Sequence, residues 1–175
     1  MRNKKSILLF LPVRDFNEEE YLTVKNYLQK EGINLFITSA TDLFCKGNNQ
    51  LKVKNDVALY NINENNFAGI ILIGGSGMAD YFDNKELHKI ITRFHSKKKF
   101  IAAICIAPLL PGRAGLLVNK NVTSHYSIKP EMLFTGCNFK DAPVVIDKNI
   151  ITASGPESAF DFSAAIINYM KKNNI

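Results

Sequence analysis

The chain has 175 residues, 46% of them hydrophobic and 22% charged, which suits one folded domain over 1–175 with a sizeable core and excludes a disordered polymer. Its formal net charge is +6 and its sequence pI about 9.2. The lysines are nevertheless scattered over predicted helix ends and loops, and the tightest cluster, Lys97–Lys99, falls where a helix C-terminus favours cations, so nucleic acid is not expected as the primary partner.

No run reaches the ~18 apolar residues that a membrane span needs, so no membrane partner is expected. The basic start, Met1–Ser6, leads into an apolar run, but Arg14-Asp15-Phe16-Asn17 is not the small-residue cleavage site of a signal peptide. Cys45, Cys105 and Cys137 show neither CxxC spacing nor paired histidines, so neither a disulfide framework nor a metal site is expected, and the chain reads as cytoplasmic.

In chain order, Ile7–Val13 reads as a buried strand. Glu18–Glu31 carries Tyr21, Leu22, Val24, Tyr27 and Leu28 at helical period and stops at Gly32. Ile33–Ser39 alternates as a second strand, and Phe44–Tyr60, with a turn at Gly47–Asn49, reads as a hairpin-like excursion. Phe67–Ile73 is a third buried strand running into Gly74-Gly75-Ser76-Gly77. A helix over Asn84–Ser96 puts Leu87, Ile90, Ile91 and Phe94 on one face. Phe100–Ile104 is the next strand and Ile106–Ala114 the next helix. Asn121–Ser124 is a short strand, Lys129–Phe134 a helical turn, Val144–Ile146 and Ile150–Ala153 two short strands, and Ser158–Lys171 a closing helix. Apolar strands alternating with helices specify an α/β fold whose parallel sheet is covered on both faces, with its ligand site beyond the carboxyl ends of the strands.

Three features fall at that edge: the loop after Val13, the Gly74–Gly77 loop, and Cys105. A thiol between a strand and a helix N-terminus meets unpaired N–H groups and is expected as thiolate, whereas the segment by itself suits a core cysteine equally well; the convergence of the three features favours function. In the acidic run, Glu18 and Glu19 are explained by the helix dipole alone. Glu20 shares the side of Val24 and Tyr27, so its carboxyl is expected to be partly buried and protonated, able to hydrogen-bond a thiolate and move a proton. Gly74 and Gly75 form a tight turn or offer N–H groups to an oxyanion, with no phosphate-loop lysine following. His125 is either a loop histidine or a proton shuttle at the same edge. His88 and His95 lie on a predicted surface helix and are not expected to act.

Five stretches in order across the chain, Phe16–Glu20, Ile71–Gly75, Ile101–Pro108, Val122–His125 and Thr152–Pro156, resemble the ThiJ/PfpI superfamily, within it the branch of the parkinsonism-associated protein deglycase; the Ala102-Ala-Ile-Cys-Ile-Ala-Pro108 segment is the most specific. The resemblance implies a flavodoxin-like three-layer sandwich with the cysteine on a nucleophile elbow. It assigns Cys105 as nucleophile, Glu20 as its carboxyl partner, Gly74, Gly75 and Ile106 as backbone donors, and His125 as the nearby histidine. It further implies a homodimer without metal or organic cofactor, acting on methylglyoxal-like α-oxoaldehydes or early glycation adducts. The alternatives are a redox sensor or stress chaperone oxidised at Cys105 without turnover, and a cysteine hydrolase or amidase. Ile106 stands where the protease branch has histidine, which argues against a protease. Asn55 stands where the deglycase branch often has an arginine. The chain ends at Ile175 without the extra helix that covers the site in the animal deglycase, so a more open pocket is expected.

Overall fold

The computed structural model describes residues 6–41 and 43–175; the basic residues before Ser6 lie outside the described part. The strands and helices are β1 (Ser6–Phe10), β2 (Arg14–Phe16), α1 (Glu18–Lys30), β3 (Leu35–Ser39), β4 (Phe44–Gly47), β5 (Lys52–Lys54), β6 (Val57–Ala58), β7 (Phe67–Leu72), α2 (Lys85–Ser96), β8 (Phe100–Ile104), α3 (Leu109–Arg113), β9 (Asn121–Val122), α4 (Lys129–Phe134), β10 (Asn138–Phe139), β11 (Val144–Asp147), β12 (Ile150–Ala153) and α5 (Ala159–Lys172). Seven strands form the central sheet in the order β11-β12-β8-β7-β1-β3-β6. Every pairing in it is parallel except that of β11 with β12.

Period-two burial splits each strand between two cores. Leu8, Phe10, Ile70, Leu72 and Ile101 face α2 and α3, whereas Ile7, Leu9, Ile71, Phe100 and Ile104 face Tyr21, Val24 and Leu28 of α1 and Phe162 and Ile166 of α5. This is the three-layer mixed α/β architecture that the alternation of apolar strands and helices predicts.

Several boundaries move for physical reasons. The predicted first strand stops at Phe10, and Pro12, which has no N–H for a ladder, precedes a separate β2 that joins β4 and β5 in a small sheet. The excursion is a hairpin only over β4 and β5; Val57 and Ala58 return to the edge of the central sheet beside β3. The predicted strand at Asn121–Ser124 pairs with β10 outside the central sheet. The helix predicted from Ile106 begins only at Leu109, after a turn over 105–108. Among the described residues no helix is long and apolar enough to cross a membrane.

Candidate active site

At the carboxyl end of β8 the chain turns sharply, and Cys105 adopts φ 64°, the left-handed region that non-glycine residues rarely occupy. Two backbone bonds hold it there. Its N–H donates to the Ala153 carbonyl at the end of β12 (3.0 Å), and its own carbonyl accepts from the His125 N–H (2.8 Å). Cys105 is partly exposed, whereas Cys45 and Cys137 are buried.

Glu20 arrives from α1. Asn17 caps that helix through its side chain, which accepts from the Glu20 N–H at 3.0 Å. In an ordinary capping box the third residue returns the bond to the cap's own N–H. Here the Asn17 N–H instead donates to the Gly74 carbonyl (3.0 Å), and Glu20 Oε2 accepts the Gly74 N–H (2.9 Å). The first turn of α1 is thereby stitched to the loop after β7. Glu20 is fully buried, and its Oε1 has no conventional partner; the carboxyl's remaining contact is a hydrogen bond with Cys105. A Cβ on Gly74 would lie 2.6 Å from Cys105 Cβ and 2.9 Å from Glu20 Oε2, so this approach requires glycine.

Burial pushes the Glu20 carboxyl up to about 7, with smaller downward pulls from the Gly74 N–H and Cys105. Burial also pushes the Cys105 thiol up to about 12, helped by the charge of Glu20 and its hydrogen bond and opposed by the N–H groups of Gly75 and Ile106. The expected free thiolate at a helix N-terminus is therefore corrected. The helix starts too late to act on the sulfur, and an ionised Glu20 holds the thiol protonated. The contact lets the two groups exchange a proton: with the thiol proton passed to Glu20, the opposing charge disappears while the two backbone donors remain to hold a thiolate.

The backbone donors divide their work. Gly75 and Ile106 serve the sulfur, and Gly74 serves Glu20. His125 is brought close only through its backbone. Its side chain is exposed, and Nδ1 hydrogen-bonds Ser127 Oγ at 2.8 Å. Beside it lies a cavity of about 350 Å³ whose lining includes His125, Tyr126, Asp141, Ser154 and Glu157. His88 Nε2 contacts the Phe82 carbonyl (2.8 Å), away from this edge. Among the described residues no group of three or more His, Cys, Asp or Glu side chains is placed to hold a metal ion.

Sequence reasoning missed two parts of this arrangement. Asn17 three residues before Glu20 is a legible capping signature. The Ala153 carbonyl carries no signal, because its role depends on the pairing of β12 with β8.

The model of the DJ-1/PfpI family matches residues 5–169. The chain belongs to that family. Among DJ-1/PfpI relatives it is 28% identical to the glutathione-independent glyoxalase DJR-1.2 of Caenorhabditis elegans, over 98% of this chain and 91% of that one. It is 25% identical to the deglycase PfpI of Pyrococcus furiosus, over 94% and 99% of the two chains. In structure it resembles a ThiJ/PfpI domain protein from Brachyspira murdochii, with TM-score 0.94, 23% identity and coverage of 97% and 99%. DJ-1beta of Drosophila melanogaster matches with TM-score 0.83 and 26% identity over 94% and 89%.

Proposed function

We propose that this protein is a cytoplasmic, cofactor-independent cysteine enzyme that converts α-oxoaldehydes, free or as early glycation adducts, into hydroxy acids. The observation that carries the reading is the contact pair: Cys105 sulfur under the Gly75 and Ile106 N–H groups, hydrogen-bonded to a buried carboxyl that burial pushes up to about 7. Relatives named glyoxalase and deglycase support the same class of chemistry.

The Cys105 thiolate attacks the aldehyde carbon, a C–S bond forms, and the aldehyde oxygen takes the Glu20 proton to give a hemithioacetal. Glu20 carboxylate then removes the proton from that carbon to give an enediol and returns the same proton to the neighbouring carbon, while the hemithioacetal hydroxyl proton passes to the neighbour's oxygen. The first carbon is oxidised to a thioester while its neighbour is reduced to a carbinol, so no outside oxidant is needed. Water cleaves the C–S bond, the hydroxy acid leaves, and the thiol is restored. With His125 Nδ1 engaged by Ser127, any proton that the imidazole carries moves through Nε2.

Methylglyoxal consumption, hydroxy-acid formation and Cys105 sulfinate formation measured side by side test the reading. Cys105→Ser abolishes turnover, and Glu20→Gln, which keeps a donor but not a transferable proton, lowers it by ~10²–10⁴-fold while leaving oxidation largely intact. A wild type that oxidises readily yet turns over no oxoaldehyde overturns the enzyme in favour of the sensor. The reading also makes the protein a homodimer; Leu43, Phe44 and Tyr60 of the excursion are 70%, 54% and 75% exposed, an apolar display that suits burial against a second copy.

A further inference from the structure

At the amino-terminal edge of the central sheet, opposite Cys105, three lysines distant in sequence converge. Lys98 precedes β8, Lys148 precedes β12, and Lys172 closes α5. They line a groove of about 920 Å³ together with Ile146, Asn149 and Tyr169, and among the described residues no acidic side chain lines it. The acid nearest in sequence, Asp147, is turned elsewhere: its carboxylate lies 3.9 Å from Lys120 Nζ and accepts the Asn121 N–H at 2.8 Å. Neighbouring cations are neutralised, Lys97 by Glu64 and Lys171 by Glu31, but among the described residues Lys98, Lys148 and Lys172 form no ion pair. Their mutual repulsion stands uncompensated in a chain of net charge +6.

The floor is of a different character. Ile146 is 49% exposed and Tyr169 half-buried, its ring held edge-on to Phe100 at 5.9 Å. Asn149 and Asn173 spend their Nδ2 groups on the carbonyls of Lys99 and Tyr169 (2.8 Å each), which leaves an amide oxygen on each to accept.

We propose that this groove binds single-stranded nucleic acid, with phosphates on the three lysines and an unstacked base over Tyr169 and Ile146. A cationic rim over an apolar, aromatic floor is the combination that tracks a strand and stacks its bases. An acidic peptide would meet the rim and waste the floor. A duplex would present phosphates alone, its bases being stacked inside. The scatter of lysines along the sequence hides this patch, because only the pairing of β8 with β12 and the packing of α5 gather it. The five residues of β8 separate the groove from Cys105 by roughly 15 Å, so its occupancy is independent of the chemistry proposed there.

Fluorescence anisotropy of a labelled oligothymidylate against salt concentration tests it. Wild type binds at 50 mM salt, and the slope of log K against log[salt] is about −2, as three phosphate contacts on a single strand require. The triple variant K98Q/K148Q/K172Q loses at least ~10-fold in affinity and most of that slope. The hairpin variant K46Q/K52Q/K54Q removes the same three charges and keeps both. Tyr169→Leu, which preserves packing on Phe100, weakens binding by roughly 5-fold or more. Absence of binding at 50 mM salt, equal losses in the two triple variants, or displacement by a duplex or a mononucleotide as effective as by the single strand overturns the proposal.

Discussion

Cys105 holds a left-handed backbone that costs a non-glycine residue roughly 1–2 kcal/mol, and the bonds to Ala153 and His125 keep it there. Glycine escapes that cost, so Cys105→Gly is expected to be about 1 kcal/mol more stable than Cys105→Ala despite its lost methyl; urea unfolding of the two variants checks this, and a more stable alanine variant contradicts the strain. Glu20 makes a second prediction. Its folded value near 7 stands above the ordinary 4.5, so between those values the folded state holds more protons than the unfolded one. Stability from this group is full below about 4.5 and is lost as pH rises through 7, by roughly 3 kcal/mol at most. Glu20→Gln should flatten that stretch of the stability–pH curve; the same slope in both proteins would assign the dependence to other groups. Because burial and an ionised Glu20 push the Cys105 thiol up to about 12, its alkylation by limiting iodoacetamide should stay slow as pH rises through 7. It should speed in Glu20→Gln, where the opposing charge is gone and the Gly75 and Ile106 N–H groups remain; equal rates in the two proteins would remove Glu20 as the cause. Cys105 and Glu20 were legible from a thiol at a strand end and an acid on the buried side of a helix. The split between Gly74 and Gly75 was not, because the direction of an N–H in a glycine loop is decided by the strands around it.

The element that steadies the site is the hairpin of β4 and β5, and its link to α1 is Glu18. That carboxylate accepts the N–H groups of Asn49 (2.6 Å) and Leu51 (2.8 Å), while the Glu18 N–H donates to Asn48 Oδ1 (3.1 Å). Read along the sequence, Glu18 is one more acid in a first turn, explained by the helix dipole; its partners lie some thirty residues away and leave no local trace. Hydrogen bonds to a charged acceptor contribute about 1.5–3 kcal/mol each at best, and less at a half-exposed position. Glu18→Ala should therefore cost about 1–2 kcal/mol and speed hydrogen exchange selectively at the Asn49 and Leu51 amides. Exchange unchanged at those two sites would mean that the turn holds itself. The helix after Cys105 teaches the complementary lesson. Its apolar run reads as continuous from Ile106, but three-residue turn bonds from Ala107 to Ile104 and Leu109 to Ile106 occupy the stretch first. A period of apolar residues marks what is buried and does not say where the backbone becomes α-helical.

Across the whole molecule the parallel order of the sheet brings the loops after β1, β7 and β8 to one edge, which is why alternating apolar strands and helices were enough to place the site before any side chain was seen. The same topology leaves β6, only two residues long, as one edge of the sheet, with the excursion of β4 and β5 beside it. A strand that short offers little backbone for edge pairing, so association through this side must rest on side chains. Leu43, Phe44 and Tyr60 are exposed apolar side chains of the excursion, which the proposed dimer would bury. Light scattering at micromolar concentration should give about twice the chain mass of 19.6 kDa. Phe44→Lys sits on an exposed face of β4 and should leave the fold intact while adding a desolvated, unpaired charge to the contact, shifting the mass toward the monomer. A monomeric wild type removes the dimer altogether. A dimer untouched by Phe44→Lys or by Tyr60→Lys moves the contact away from the excursion, to a surface where sheet topology gives no guidance.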